Sequence, residues 1–204
     1  MKHLRCTLGI AVCPMVFLGF VWGQSSASGA AAGVDADSPS AFMLSYDQLA
    51  GADPEAYLPL YSVSGSDDRK LAAAEAKFDA EVGMLQKIVQ TLWGNDAVNQ
   101  TIHALGMQTA DDIHAAAVTE NGDHATVTYA DGSAGPMLVK TPAGWRLDTT
   151  AFRKALGMPV KDYIKQLHQM SAMVAEVADG IDQKRLRSAD AVAHEIAVKM
   201  AAIH

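Results

Sequence analysis

Side chains able to do chemistry are thinly spread along this chain. Imidazoles stand at His103, His114, His124, His168, His194 and His204, well apart from one another. A helical zinc site sets two histidines four residues apart, and no pair here has that spacing. His194-Glu195 opens like a metalloprotease motif, but Val198 occupies the position that needs the second histidine. The densest polar group is Asp111, Asp112 and His114, in which a carboxylate could orient an imidazole as a general base. The simpler reading is a first helical turn whose acidic side chains complement the helix dipole, with His114 at the junction to a strand. Trp145, Tyr129 and Phe78, joined by His114, are the candidates for lining a small-molecule pocket, set against the plainer expectation that the aromatics fill a core. No Gly-x-Ser-x-Gly elbow, phosphate loop or dinucleotide fingerprint occurs. The expectation is therefore a chain with no catalytic residues, no metal ligands and no cofactor.

Any such pocket would have to be positioned by one stretch, Ala115 to Thr149, which is the part that reads as β-sheet. Val127 and Tyr129 alternate with Thr126 and Thr128, the period of a half-buried strand. Asn121-Gly122 and Asp131-Gly132 supply the positive φ angles of tight turns. With Met137-Leu138-Val139 and Trp145-Arg146-Leu147-Asp148 further on, the pattern predicts a small antiparallel meander of about four strands. Trp145 and Leu147 should face the core, while Arg146 and Asp148 point away. A sheet this small needs cover, so the fold class is α+β, with the meander packed under long helices.

The helices are legible from their apolar spacing. Leu71, Phe78, Leu85 and Leu92 recur every seven residues between Asp67 and Trp93, with Ala74, Val82 and Val89 in the same stripe. Shorter helices are expected over 40–50, from Pro54, and from Asn95 or Asp96 to Leu105. After Pro159 the positions Tyr163, Leu167, Met170, Val174, Val177 and Ile181 alternate at four and three, and Gly180 is the expected end. The basic turn Lys184-Arg185-Leu186-Arg187 then leads into a helix capped by Ser188 and carrying Val192, Ile196, Met200 and Ile203. These two helices form a C-terminal hairpin whose apolar side must pack on the long helix, on the sheet, or on another copy of the chain.

The first residues carry Lys2 and Arg5, then a nearly continuous apolar run to Trp22, then Gln24-Ser25-Ser26-Ala27. That order predicts a secretory signal peptide over 1–27, with cleavage after Ala27 or Gly23, and hence a periplasmic or extracellular protein. Residues 28–40, rich in Gly, Ala and Ser, read as a disordered tether. An α+β domain over 41–157 and the helical hairpin over 158–204 complete the division. Both cysteines, Cys6 and Cys13, belong to the leader, so the rest of the chain forms no disulfide and offers no thiolate. The formal charge is −7, and losing Lys2 and Arg5 makes it two units more acidic. Such a surface argues against nucleic acid and, after cleavage, against a membrane as partner.

The succession of helices, then a strand, Asn121-Gly122-Asp123, the strand His124 to Tyr129, Asp131-Gly132, and a closing Gly144-Trp145-Arg146-Leu147-Asp148 resembles the cystatin-like cone of the nuclear transport factor two-like superfamily. The likeness is to its small exported lumazine-binding-like domains, whose sheets close on a similar Gly-Trp-Lys/Arg motif. It covers roughly residues 40–152, and the hairpin beyond Pro159 departs from it. The resemblance implies a cone that either binds a small molecule or is filled, and it transfers no site residue, since a fold does not fix a function. The leading expectation is an exported non-enzymatic protein, a structural or interaction domain able to self-associate through its C-terminal helices. The competing one is a small-molecule-binding cone or, further off, an isomerase or hydrolase.

Overall fold

A computed structural model describes residues 37–203. The expected signal peptide, its cleavage site and most of the expected tether lie outside that range. The chain is regular from Pro39 onward, because Ser38 caps the first helix, its Oγ accepting from Ala41 N at 3.1 Å. Helix α1 (Pro39–Asp47) is followed by a turn through Gly51, α2 (Pro54–Tyr57), one 3-10 turn at Leu58–Leu60 and the two-residue strand β1 (Tyr61–Ser62). The long helix is α3 (Ser66–Trp93), ending where Gly94 takes φ +83. Then come α4 (Asn95–Ala104) and α5 (Ala110–His114), the latter held by a capping box between Thr109 and Asp112.

The meander forms as its turns dictate: β2 (Ala117–Asn121), β3 (His124–Thr128), β4 (Ala134–Thr141) and β5 (Gly144–Asp148) pair antiparallel in sequence. The sheet is nevertheless five-stranded and mixed, in the order β1-β5-β4-β3-β2, because β1 joins β5 in parallel, Tyr61 opposite Leu147 and Ser62 opposite Asp148. A two-residue strand has no periodicity to read, and exists only because β5 offers an edge. Helix α6 (Thr149–Ala155) starts at once after β5. Its cap is Asp148, which accepts from Ala151 N at 2.8 Å, rather than either of the threonines that follow. Asp148 thus turns back into the protein and is buried, where strand alternation alone would have sent it outward.

Helices α7 (Val160–Asp182) and α8 (Ala189–Ile203) make the expected hairpin, with Ser188 capping α8. Gly180 does not end α7. It lies inside the helix, and its carbonyl accepts from the amides of Arg185 and Leu186 as the chain turns. The hairpin packs on the protein's own helices, α7 along α3 and α8 against α4. One apolar core lies among these four, built from Leu85, Val89, Ile102, Leu167, Val177 and Ile196. A second lies between α1, α2, the other side of α3 and one sheet face, and holds Phe42, Tyr57, Ala76, Ala80, Leu138 and Trp145. The long helix therefore separates two cores. Among the described residues no helix is long and apolar enough to cross a membrane.

Two backbone positions are tightly specified. A Cβ on Gly83 would lie 2.2 Å from the backbone nitrogen of Gly51, so α3 and the turn after α1 touch main chain to main chain. Lys184, in the α7–α8 turn, has φ +57, a left-handed conformation that glycine adopts more easily. Gly83→Ala should lower stability by about 1–3 kcal/mol in urea denaturation, more than offsetting the ~1 kcal/mol that alanine contributes to a helix. An unchanged midpoint would mean that the turn yields freely. Lys184→Gly should leave stability unchanged or raise it, by up to about 1 kcal/mol, and a clear loss would mean that the lysine stem packs productively.

Candidate functional site

Helix α3 buries polar groups along its length. Asp68, Glu75, Asp79 and Gln86 are spaced by seven, four and seven residues, which at 100° per residue sets them in one line. Leu71, Phe78 and Val82 flank that line on the side of the helical core, and Ala72, Ala76 and Ala80 flank it on the side of the sheet. The seam faces protein, not water, with Asp68, Asp79 and Gln86 all buried and Glu75 half-buried.

Asp79 and Glu75, one turn apart, are enclosed by tyrosine hydroxyls. Tyr46 from α1 and Tyr61 from β1 both donate to Asp79 Oδ2, the second at 3.1 Å, and the two phenols are 3.1 Å from each other. Tyr163 from α7 donates to Glu75 Oε1 at 2.7 Å. Burial raises the Asp79 carboxyl well above the ordinary carboxylate range, although hydrogen bonds from Tyr46 and Tyr61 work the other way. Burial also raises Glu75; the neighbouring Asp79 charge adds to this, and the Tyr163 bond only partly opposes it. All three phenols are raised too, by burial first and then by these carboxylates, so they remain neutral donors. Two carboxyls this close do not readily both ionise. Asp79, with two donors on one oxygen, is the better anion, and its charge adds to the rise that burial gives Glu75.

Asp68, lower on the same seam, behaves in the opposite way. Burial acts to raise it, but Ser64, Thr150 and Arg153 outweigh burial and hold it well below the usual range. The donors are Ser64 Oγ at 2.7 Å, Thr150 Oγ1 at 2.8 Å and Arg153 Nε at 2.6 Å. This cluster joins the start of α3 to α6 and has a structural part: it fixes one wall of the hollow beside Glu75.

That hollow lies between α3, β1, the ends of β4 and β5, and α6. Its volume is about 40 Å³, room for about three waters or for the end of a ligand. Leu71, Pro136, Met137, Leu147 and Phe152 make it mainly apolar, while Glu75, Tyr61 and Asp148 bring polar atoms to its wall. Tyr163 occupies Glu75 Oε1, which leaves Oε2 to whatever enters. Asp148 already caps α6 through Oδ1, and its Oδ2 lies 3.5 Å from Nδ1 of the exposed His124. Among the described residues no three His, Cys, Asp or Glu side chains gather as a metal site.

The pocket candidates named from sequence do not come together. Phe78 is buried in the helical core on the far side of α3, while Trp145 and Tyr129 are buried under the sheet. His114 is exposed at the end of α5. None of the four lines the hollow, because the sheet face that carries Trp145 and Tyr129 is filled by α1, α2 and the alanine side of α3. Glu75 and Asp79 were missed because, next to a clear heptad stripe, their line reads as the solvated face of the helix, and Tyr46 and Tyr61 because they reach that line from α1 and from the two-residue strand β1. The available signal was the second stripe, Ala72, Ala76 and Ala80, which makes α3 apolar on both sides of its acids. Comparison of the chain with known protein families, curated proteins and solved structures finds no match.

The raised pair has a defined effect on stability. In the unfolded chain both carboxyls lose their protons near pH 4; in the folded protein they hold them to higher pH. The folded state binds more protons, so stability contributed by the pair is complete at low pH and is lost as pH rises toward and past neutrality. Asp68, whose value is depressed, acts only below that window, where falling pH removes its contribution. Denaturation midpoints should fall between about pH 5 and pH 8, by roughly 2 kcal/mol or more. The double variant Glu75→Gln, Asp79→Asn should flatten that profile, and a wild-type profile already flat would mean that neither carboxyl is raised.

Proposed function

We propose that this is an exported, non-catalytic ligand-binding domain whose hollow takes the end of a small, mainly apolar molecule carrying one neutral hydrogen-bond acceptor, such as a carbonyl. The observation that carries this reading is a half-buried carboxyl on the wall of an apolar hollow that opens to solvent, raised by burial and then by the charge of Asp79. An ionised carboxylate would only accept hydrogen bonds; a protonated Glu75 can donate one. The apolar lining supplies burial for the hydrocarbon part of the ligand, and the single polar wall fixes its orientation. Tyr163 and Asp79 have positioning roles: the first orients the Glu75 carboxyl, and the charge of the second adds to the rise that burial already gives it. Binding coupled to a proton is then a property of the fold, tight where Glu75 is neutral and weak where it is charged.

The alternative of an interaction domain acting through the C-terminal helices has less to rest on, because the apolar side of the hairpin already covers α3 and α4. The export reading rests on the leader-like sequence at residues 1–27.

Cyclohexanone is a suitable probe, with cyclohexane as its isostere lacking the acceptor, followed by the methyl NMR signals of Met137 and Leu147. The ketone should shift both signals at pH 6 and bind about tenfold more weakly at pH 9, a difference of about 1.4 kcal/mol. Glu75→Gln, which still donates, should bind at both pH values, and Glu75→Leu at neither. Equal binding of ketone and hydrocarbon, or a wild-type affinity indifferent to pH, would overturn the reading.

A further inference from the structure

At the other end of α3 the molecule has a second concavity, a groove of about 780 Å³ between the last turns of α3 and the α7–α8 turn. Lys184 and Arg187 from the turn line it, opposed by one acid, Asp182, and Lys87 from α3 lines it too, with its amine donating to the Gly51 carbonyl at 3.2 Å. In a chain of formal charge −7 this is a local excess of positive charge, and it is assembled from segments almost a hundred residues apart. The apolar part of the groove is equally specific. Ile88 and Leu92 line it, Leu92 is 53 % exposed, and Trp93 stands half-buried beside them. Met84, Ile88 and Leu92 fall at successive fourth positions, so an apolar stripe about 12 Å long runs along α3 away from the α7–α8 turn. Met84 at its far end is also exposed.

We propose that this groove binds a single-chain anionic amphiphile, with a carboxylate head between Lys184 and Arg187 and an alkyl chain lying along Leu92, Ile88 and Met84. Charge complementarity selects the head: the cations outnumber the one acid, and Lys184 and Arg187 are both on the rim where an entering ion meets them. The stripe selects the tail, since about 12 Å of exposed apolar helix is the length of roughly ten methylene groups. Lys184 adds an independent indication. It holds a left-handed backbone where glycine would be easier, and so keeps a cationic side chain at a position that favours having none. A concave site with the two turn cations at one end suits one molecule lying in it better than a bilayer surface. This site is separate from the hollow beside Glu75, and neither proposal depends on the other.

The test uses laurate below its micellar concentration, followed through the indole NMR signal of Trp93, with dodecyltrimethylammonium, dodecanol and octanoate as controls. Laurate should bind at one saturable site, with the cationic and neutral amphiphiles and the shorter acid each at least about tenfold weaker. The variant Lys184→Gly, Arg187→Gln should weaken laurate by a similar factor with no loss of thermal stability, since it removes charge and relieves the backbone. Arg187 Nε donates to the Lys184 carbonyl, so Lys184→Gly alone is the check that the loss is of charge and not of turn geometry. Equal affinity for laurate and the cationic amphiphile, or no effect of either variant, would overturn the proposal. So would binding to phosphatidylglycerol vesicles with none to monomeric laurate, which would make the groove a membrane-docking surface.

Discussion

A helix with protein on both sides has nowhere to put its polar face, and α3 is in that position. Its leucine and phenylalanine stripe meets α4, α7 and α8, and its alanine stripe meets α1, α2 and the sheet. The line between them carries Asp68, Glu75, Asp79 and Gln86 into the interior. Each acid buried there must be paired, hydrogen-bonded or protonated, because the free energy of an isolated buried charge is prohibitive. The surrounding architecture can be understood as three answers to that demand.

Near the start of α3 the answer is a cation: Arg153 reaches Asp68 from α6, with Ser64 and Thr150 completing the shell. In the middle it is tyrosine and a proton. Tyr46, Tyr61 and Tyr163 bring hydroxyls from α1, β1 and α7 to Asp79 and Glu75. The contrast explains why carboxyls on one helix titrate in opposite directions. The hydroxyls of Ser64 and Thr150 together with the Arg153 guanidinium outweigh burial at Asp68, while the phenols only moderate it at Asp79. The two-residue strand β1 has its place in this scheme. By pairing with Leu147 and Asp148 it holds Tyr61 over Asp79 and beside the hollow.

At the far end of α3 the seam gives way to surface, and the helix presents Leu92 and Trp93 to the basic α7–α8 turn. The same helix thus carries an acidic, proton-holding interior and a cationic, partly apolar end.

Much of the fold could be read directly. The heptad spacing of α3, the four-and-three alternation of α7, the Asn-Gly and Asp-Gly turns and the alternation in β3 are local signals, set by backbone geometry and by which residues tolerate it. They fixed the α+β class, the antiparallel meander and the helical hairpin. The aromatic residues Trp145, Tyr129 and Phe78 were visible as large apolar groups, but which of two cores each would fill was not written in their spacing. Nor was the fate of Glu75 and Asp79. An acid between apolar stripes is exposed or buried according to what arrives from elsewhere in the chain, and Tyr46, Tyr61 and Tyr163 come from both sides of α3. Sequence determined the elements and their apolar faces, because those depend on neighbours a few residues apart. Only the tertiary structure decided which carboxyls leave water, since desolvation depends on every atom packed around a group, however distant along the chain.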